Sequence, residues 1–244
     1  MISYPMLGRY GRLGNQLFQF ASTYAASRKS NTVCRFPKSN HSLHDFSIPL
    51  EYFTDEIKFD YIFNDDEQDF SFNPVIHQLP VGTAITGYLQ NPNNFIEYRD
   101  EIIKMLDLKS HIKDAAKEVM KNRKNTISIH VRRGDYLNIQ DVLPCQSVEY
   151  YMNAVSFFNN ATPVIFTDDP EWCKANFPYE VIHNDVITDF ACMLLCDGHV
   201  MSNSSFSWWV SFLTQKNTVA PIKWFGDKGV KNWQDLYDPK WIKF

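Results

Sequence analysis

The stretch Thr126-Ile127-Ser128-Ile129-His130-Val131-Arg132-Arg133-Gly134-Asp135-Tyr136 decides the fold. Its first six residues form an apolar, β-rich run and read as a buried strand. Two guanidinium groups, an imidazole and a carboxylate crowd the end of that run. Buried strands of open α/β sheets carry their ligands just beyond their carboxyl ends. Adjacent arginines there suit a doubly charged pyrophosphate, because a planar guanidinium grips two oxygens at once. Strand alternation sets His130 and Arg132 on one side and Val131 and Arg133 on the other. The two arginines therefore have different jobs: Arg132 is assigned to phosphate, and Arg133 to structural pairing or a second donor contact. The bland alternative is an Arg–Asp surface ion pair, which is worth little. Such a pair rarely needs two arginines and a histidine in one run.

Working toward the C-terminus, further β-rich runs fall at 163–167, 180–183, 198–202 and 218–221. Helical patterns lie between them at 147–158, 170–177, 188–196 and 205–215. Strands alternating with helices of this length predict βαβ units and a parallel sheet, a Rossmann-like half. Toward the N-terminus the pattern is less regular. A short strand is expected at 2–7. Leu13, Leu17, Phe20, Ala21 and Tyr24 share one helical face and predict a helix over 15–29. Strands follow at 32–36 and 83–89, with a helix at 93–106. Residues 37–80 interleave acids with aromatics without a clear period and predict loops and short helices. The polar, charged stretch 109–124 is the expected connector between halves.

The bulk numbers narrow the function. A formal net charge of −4 argues against general nucleic-acid binding and requires a local basic pocket for any anionic ligand. Cys34, Cys145, Cys173, Cys192 and Cys196 are odd in number and form no CxxC, so neither a disulfide framework nor a zinc site is expected. Reduced, cytosolic thiols are the simpler reading. Met1 to Tyr10 is too short and polar for a signal peptide, and no apolar run approaches the ~20 residues that span a bilayer. His41, His44, His77, His111, His183 and His199 show no ligand-like spacing.

Three other motifs stand at expected strand ends or helix starts. Gly11-Arg12-Leu13-Gly14-Asn15-Gln16 combines glycines that allow close backbone approach with a helix start and the donors Arg12 and Asn15; a plain loop with Asn15 as N-cap is equally consistent. Thr167-Asp168-Asp169-Pro170-Glu171 has two readings. Asp169 as N-cap with Pro170 at the first helical position is one. A carboxylate accepting from the N1 and N2 groups of guanine is the other. Ser202-Asn203-Ser204-Ser205-Phe206-Ser207-Trp208-Trp209 puts four hydroxyl or amide side chains at a helix start, a phosphate seat, with Ser204 as the simple cap. Phe206, Trp209, Val210 and Leu213 form a core stripe, and Phe206 is also grouped with the donor contacts.

Together with Gly87-Tyr88-Leu89-Gln90, these motifs occur in an order that resembles glycosyltransferase family 11, the α-1,2-fucosyltransferases. The resemblance implies an α/β, GT-B-like fold of two Rossmann-like halves facing a cleft. The halves are placed at 1–112, acceptor-side, with acceptor contacts expected in its irregular 37–80 segment, and at 113–225, donor-binding. Residues 226–244 are expected as a tail packing back. The implied reaction moves L-fucose from GDP-fucose to the 2-hydroxyl of a terminal galactoside, with inversion, without a metal and without a cofactor. Its partners are a sugar nucleotide and a glycan acceptor. A cytoplasmic location is expected, at most peripheral to the inner face of the membrane. The alternatives are a fucosyltransferase of another linkage or acceptor, and a non-catalytic binder of GDP-sugars or glycans.

The same resemblance implies roles. Arg132 and the amides near Ser204 and Ser205 stabilise charge on the departing β-phosphate. Asp168 or Asp169, with His130, holds guanine. Arg12 and Asn15 approach from the other half. Arg133, Ser202, Asn203 and Phe206 complete the donor contacts. Asp135 is either the general base or the residue that orients an arginine.

Overall fold

The computed structural model describes residues 1–39, 41–65 and 69–244. The parts of the 37–80 expectation that fall on Asn40, Asp66, Glu67 and Gln68 lie outside the described residues. The chain forms two units, Met1–Leu108 with Val230–Tyr237, and Lys109–Gly229 with Asp238–Phe244. The expected tail 226–244 is thus divided: 226–229 and 238–244 belong to the second unit and 230–237 to the first.

The first unit holds four parallel strands: β1 (Ile2–Ser3), β2 (Cys34–Arg35), β3 (Tyr61–Asn64) and β4 (Thr83–Thr86), in the order β2-β1-β4-β3. Helix α1 (Leu13–Lys29) packs on it and is buried nearly all round from Leu13 to Ser27. A helix with apolar or small residues on every face belongs inside. It starts two residues earlier than expected. Arg12 takes the N-cap position without a side-chain cap bond, so Asn15 sits inside the first turn rather than capping. β3 was not expected. Tyr61 and Ile62 are more than half exposed on this edge strand, so no inward–outward alternation marks it. β4 ends early because Gly87 takes φ +105. The helix expected over 93–106 is broken: single turns at 92–94 and 96–98 precede α2 (Arg99–Met105). Short turns at 42–45, 50–52 and 74–78 occupy the irregular segment.

The second unit is a six-stranded, all-parallel sheet. Its strands are β5 (Thr126–Val131), β6 (Thr162–Thr167), β7 (Glu180–Ile182), β8 (Gly198–Val200), β9 (Asn217–Ala220) and β10 (Ile242–Lys243), in the order β10-β9-β8-β5-β6-β7. Helix α3 (Ser110–Val119) precedes β5, and α4 (Val148–Val155), α5 (Pro170–Asn176), α6 (Val186–Leu195) and α7 (Ser205–Thr214) lie between successive strands in sequence. Every residue of β5 is buried, and Ile127, Ile129, Val131, Tyr151, Ile165, Val200 and Val219 share one apolar core. The helix-forming connector expected at 109–124 is largely α3. Its apolar side, Ile112 and Ala116, is buried, and the helix packs on α6, where the Cys192 thiol points to the Ala116 carbonyl at 3.9 Å.

The strand order positions the site. From β5 the chain moves one way to β6 and β7, then returns to β8 on the other side of β5. The crevice between the β5 and β8 carboxyl ends is therefore the topological switch point, where open α/β sheets bind ligands. Because the strands are parallel, 132–136, 168–169 and 201–205 emerge at one edge. No helix among the described residues is long and apolar enough to cross a membrane.

Candidate active site

Arg132 leaves the end of β5 and is held by two carboxylates. One terminal nitrogen meets Asp135 Oδ1 at 2.5 Å and the other meets Asp168 Oδ2 at 2.7 Å. Its guanidinium also lies over the Tyr136 ring, 5.5 Å from the centroid. The side chain is 15% exposed, enough to reach an incoming ligand while its direction is fixed. Asp168 is committed twice, because its Oδ1 accepts the Arg133 backbone N–H at 2.9 Å. Gly134 makes this close approach possible: a Cβ there would lie 2.4 Å from Asp168 Oδ2.

Arg133 goes the other way, as strand alternation requires. Its Nε donates to Asp169 Oδ2 at 3.0 Å, and its guanidinium stacks on Trp172, 3.6 Å from the ring centroid. Asp169 also caps α5, accepting the Trp172 N–H at 3.3 Å. Arg133 is thus paired and stacked, and Asp169 both pairs with it and caps α5. The guanine reading of the two aspartates meets a physical obstacle: both carboxylates are already engaged by the arginines of the neighbouring strand end.

His130 is buried. Its Nδ1 lies 2.8 Å from Ser202 Oγ and 3.1 Å from Ser207 Oγ, and the ring rests against Phe206 with centroids 5.1 Å apart. Burial, reinforced by the charge of Arg132, pushes this imidazole down to about 3, so it is neutral at physiological pH. It ties β5 to the β8–α7 connection. Tyr136 makes a second tie, donating its hydroxyl to the Asn203 carbonyl at 3.0 Å. Burial raises that phenol well above its usual value and keeps it a donor.

The polar run after β8 is divided in its use. Ser202 and Asn203 are inside. Ser202 serves His130, while Asn203 donates to the Trp224 carbonyl at 2.9 Å and accepts from Gln146 at 3.1 Å. Both side chains are thus engaged inside the second unit. Ser204 caps α7, accepting the Phe206 N–H at 3.3 Å. Ser205, half-buried at the first helical position, is the member of the run at the surface, with the positive end of the helix dipole behind it. The expected stripe is also revised. Phe206 and Leu213 are only half-buried, whereas Trp208, Trp209, Val210 and Phe212 are buried and wrap the helix on several sides.

Arg12 and Asn15 belong to the first unit. Arg12 is exposed at the start of α1. Asn15 folds against Gly11, whose φ of +75 and missing Cβ leave room for it, and its Oδ1 accepts from Gln90 Nε2 at 2.7 Å.

Several residues escaped the sequence reading. Tyr136 and Gln146 brace the β8 loop, and Trp172 carries Arg133. Asp189, in the first turn of α6, is a buried carboxylate whose Oδ1 accepts both the backbone and side-chain N–H of Asn184, at 3.0 and 2.9 Å. Burial raises its carboxyl above the usual range. Its neighbour Phe190 touches Phe206, centroids 5.2 Å apart, so it lies behind the same helix start. A lone acid inside the apolar run 186–195 was its only signal in the sequence.

A parallel sheet with an arginine loop and a helix start at its switch point defines an α/β protein with a cationic, dipole-backed edge suited to an anion. The model of glycosyl transferase family 11 matches residues 7–244, so the chain belongs to that family. An α-1,2-colitosyltransferase of Escherichia coli is 25% identical over 96% of this chain and 96% of its own length. A galactoside α-(1,2)-fucosyltransferase 2 of Oryctolagus cuniculus is 25% identical over 86% of this chain, which spans 66% of that protein. Among solved structures, POFUT1 in complex with GDP matches with a TM-score of 0.55 at 14% identity, covering 88% of this chain and 94% of its own. Fucosyltransferase NodZ from Bradyrhizobium matches with a TM-score of 0.57 at 12% identity, covering 87% and 92%. These likenesses are of fold and bear out the GT-B-like expectation.

Proposed function

We propose that this glycosyltransferase takes GDP-fucose and moves L-fucose, with inversion, to the 2-hydroxyl of a terminal galactoside. The observation that carries the reading is Arg132, aimed by Asp135 and Asp168 at the switch point beside the start of α7. A diphosphate leaving group placed there meets a guanidinium fork and a helix dipole, both fixed before the reaction. Preorganised charge of this kind acts on the transition state without reorganisation cost. The sugar–phosphate bond breaks as the acceptor oxygen bonds to the anomeric carbon, the electron pair goes to the β-phosphate, and the acceptor hydroxyl gives up its proton late in the step to water or to the departing diphosphate.

No divalent ion is required in this reading. It is supported by the state of the local carboxylates, since Asp135, Asp168 and Asp169 are each engaged by an arginine. Asp135 orients Arg132 and is not the general base. Asp189 is the better candidate to read guanine, because neither partner recorded for it is a cation. The names of the fucosyltransferase relatives support fucose and the α-1,2 linkage. A second reading, transfer of colitose, is favoured by the bacterial relative that matches over 96% of its length.

The test is incubation of the protein with GDP-fucose and lactose, with and without chelator. GDP release and a 2-O-fucosylated product in both conditions are expected. Turnover only with the colitose nucleotide would move the proposal to the second reading, and a binder without turnover would release no GDP from either donor.

A further inference from the structure

The Gly87-Tyr88-Leu89-Gln90 motif is not used by the donor chemistry, yet the first unit spends several buried groups to fix it. In that sheet β1 and β4 are neighbours, and the chain leaves β1 toward β2 on one side before returning by β3 to β4 on the other. The carboxyl ends of β1 and β4 therefore flank this sheet's own switch point. Residues 87–90 follow β4, and the loop through Tyr10 follows β1. Tyr4, just beyond β1, donates its hydroxyl to the Gly87 carbonyl at 2.5 Å.

Leu89 holds a left-handed backbone, φ +57, while fully buried. A bulky residue keeps that conformation only where its surroundings impose it. Here Asp65 accepts the Leu89 N–H at 2.9 Å, and Ser22 and Asn94 both donate to its carbonyl at 3.3 Å. The result is a defined presentation of the residues on either side. Gln90 is fixed by Asn15 at 2.7 Å. Tyr88 is half-buried and meets the half-buried Tyr10 edge-on, centroids 6.0 Å apart. An amide that both donates and accepts, two residues along the chain from one of two paired phenol rings with apolar faces, matches a pyranoside, which offers hydroxyls at its rim and C–H groups on its face.

We propose that Tyr10, Tyr88 and Gln90 form a saccharide-binding site that takes the neutral acceptor glycan, with Asn15 positioning Gln90. The inference rests on the proposed transfer reaction and adds the residues that choose the acceptor. It moves the acceptor contacts from 37–80 to the end of β4.

Two measurements on the full chain separate this inference from the reading beneath it. Saturation-transfer NMR with lactose alone reads the saccharide site, and release of GDP from GDP-fucose, with the fucosyl group passing to lactose or to water, reads the donor reaction. Tyr88→Ala should weaken lactose binding about tenfold, the loss of one good aromatic contact. It should raise the KM for lactose by a similar factor, while the KM for GDP-fucose stays within about twofold. Gln90→Glu, which keeps the side chain's size, should give the same split. Unchanged lactose binding in both variants, or KM values for donor and acceptor rising together, would overturn the site while leaving the transferase reading intact. Absence of GDP release in the unmodified protein would overturn that reading instead.

Discussion

At the scale of single residues, the account places most of the catalysis on one side chain. Arg132→Ala should lower turnover by about 10²–10³, the usual loss on removing one preorganised donor to developing charge. Arg132→Lys should recover little of it, because an ammonium cannot hold Asp135, Asp168 and a phosphate oxygen in one plane. Near-normal turnover in either variant would remove Arg132 from the mechanism. Asp135→Asn provides a sharper discrimination. An orienting residue, once amidated, lowers kcat but leaves the shape of the pH–rate profile alone, whereas loss of a base removes its acidic limb. The account expects the first outcome. The motif 130–136 was legible as a candidate site from its residue types alone. The partners of each arginine were not, since Asp168 and Trp172 come from the next strand end and no spacing encodes them.

At the scale of elements, the β5, β6 and β8 ends work because each is tied to its neighbour. Gly134→Ala puts a methyl carbon against the Asp168 carboxylate, which must then release Arg132 or the Arg133 N–H. Turnover should fall several-fold with little change in melting temperature; an equal loss of folding would point to a structural role only. Asp169→Ala removes the α5 cap and the partner of Arg133 together. A cap alone is worth about 1 kcal/mol, so thermal unfolding should show at least that loss. A melting curve matching the parent's would show that the cap and the Arg133 pair contribute nothing. The βαβ alternation of 126–221 was readable because its strands are buried on both faces and its helices have regular lengths. The edge strands β3 and β10 were not, since edges need no apolar period. The break at 92–98 was hidden by good helix-forming residues on both sides of it. The internal bonds of Ser202 and Asn203 were not readable, because a sequence does not say which side of a loop is packed.

At the scale of the whole molecule, acid should destabilise this protein through two core histidines. His199 is held between Ser128 and Thr214, each at 2.8 Å. Burial pushes both His130 and His199 from 6.5 down to about 3. Both rings are neutral when folded, and the unfolded chain takes up protons first. The stability they lend is therefore full above pH 6.5 and is lost as pH falls toward 3, by about 1.4 kcal/mol per pH unit for each ring. Denaturant unfolding in that window should be less steep in pH for His199→Gln than for the parent; equal slopes would exclude this ring as a source. The division into two units also follows from the sequence only in part. Each unit has its own parallel sheet, but the crossing of 230–237 back to the first depends on contacts distant in the chain, such as the Asn91–Asp235 bond at 3.0 Å. The central claim is that the diphosphate is clasped at the switch point of the second sheet by Arg132. Calorimetric titration of GDP into the parent protein and into Arg132→Ala, in chelator, tests it most directly. Binding should be saturable in the parent and at least tenfold weaker in the variant, about 1.4 kcal/mol. Equal affinity in the two proteins, or binding that appears only when a divalent ion is restored, would contradict it.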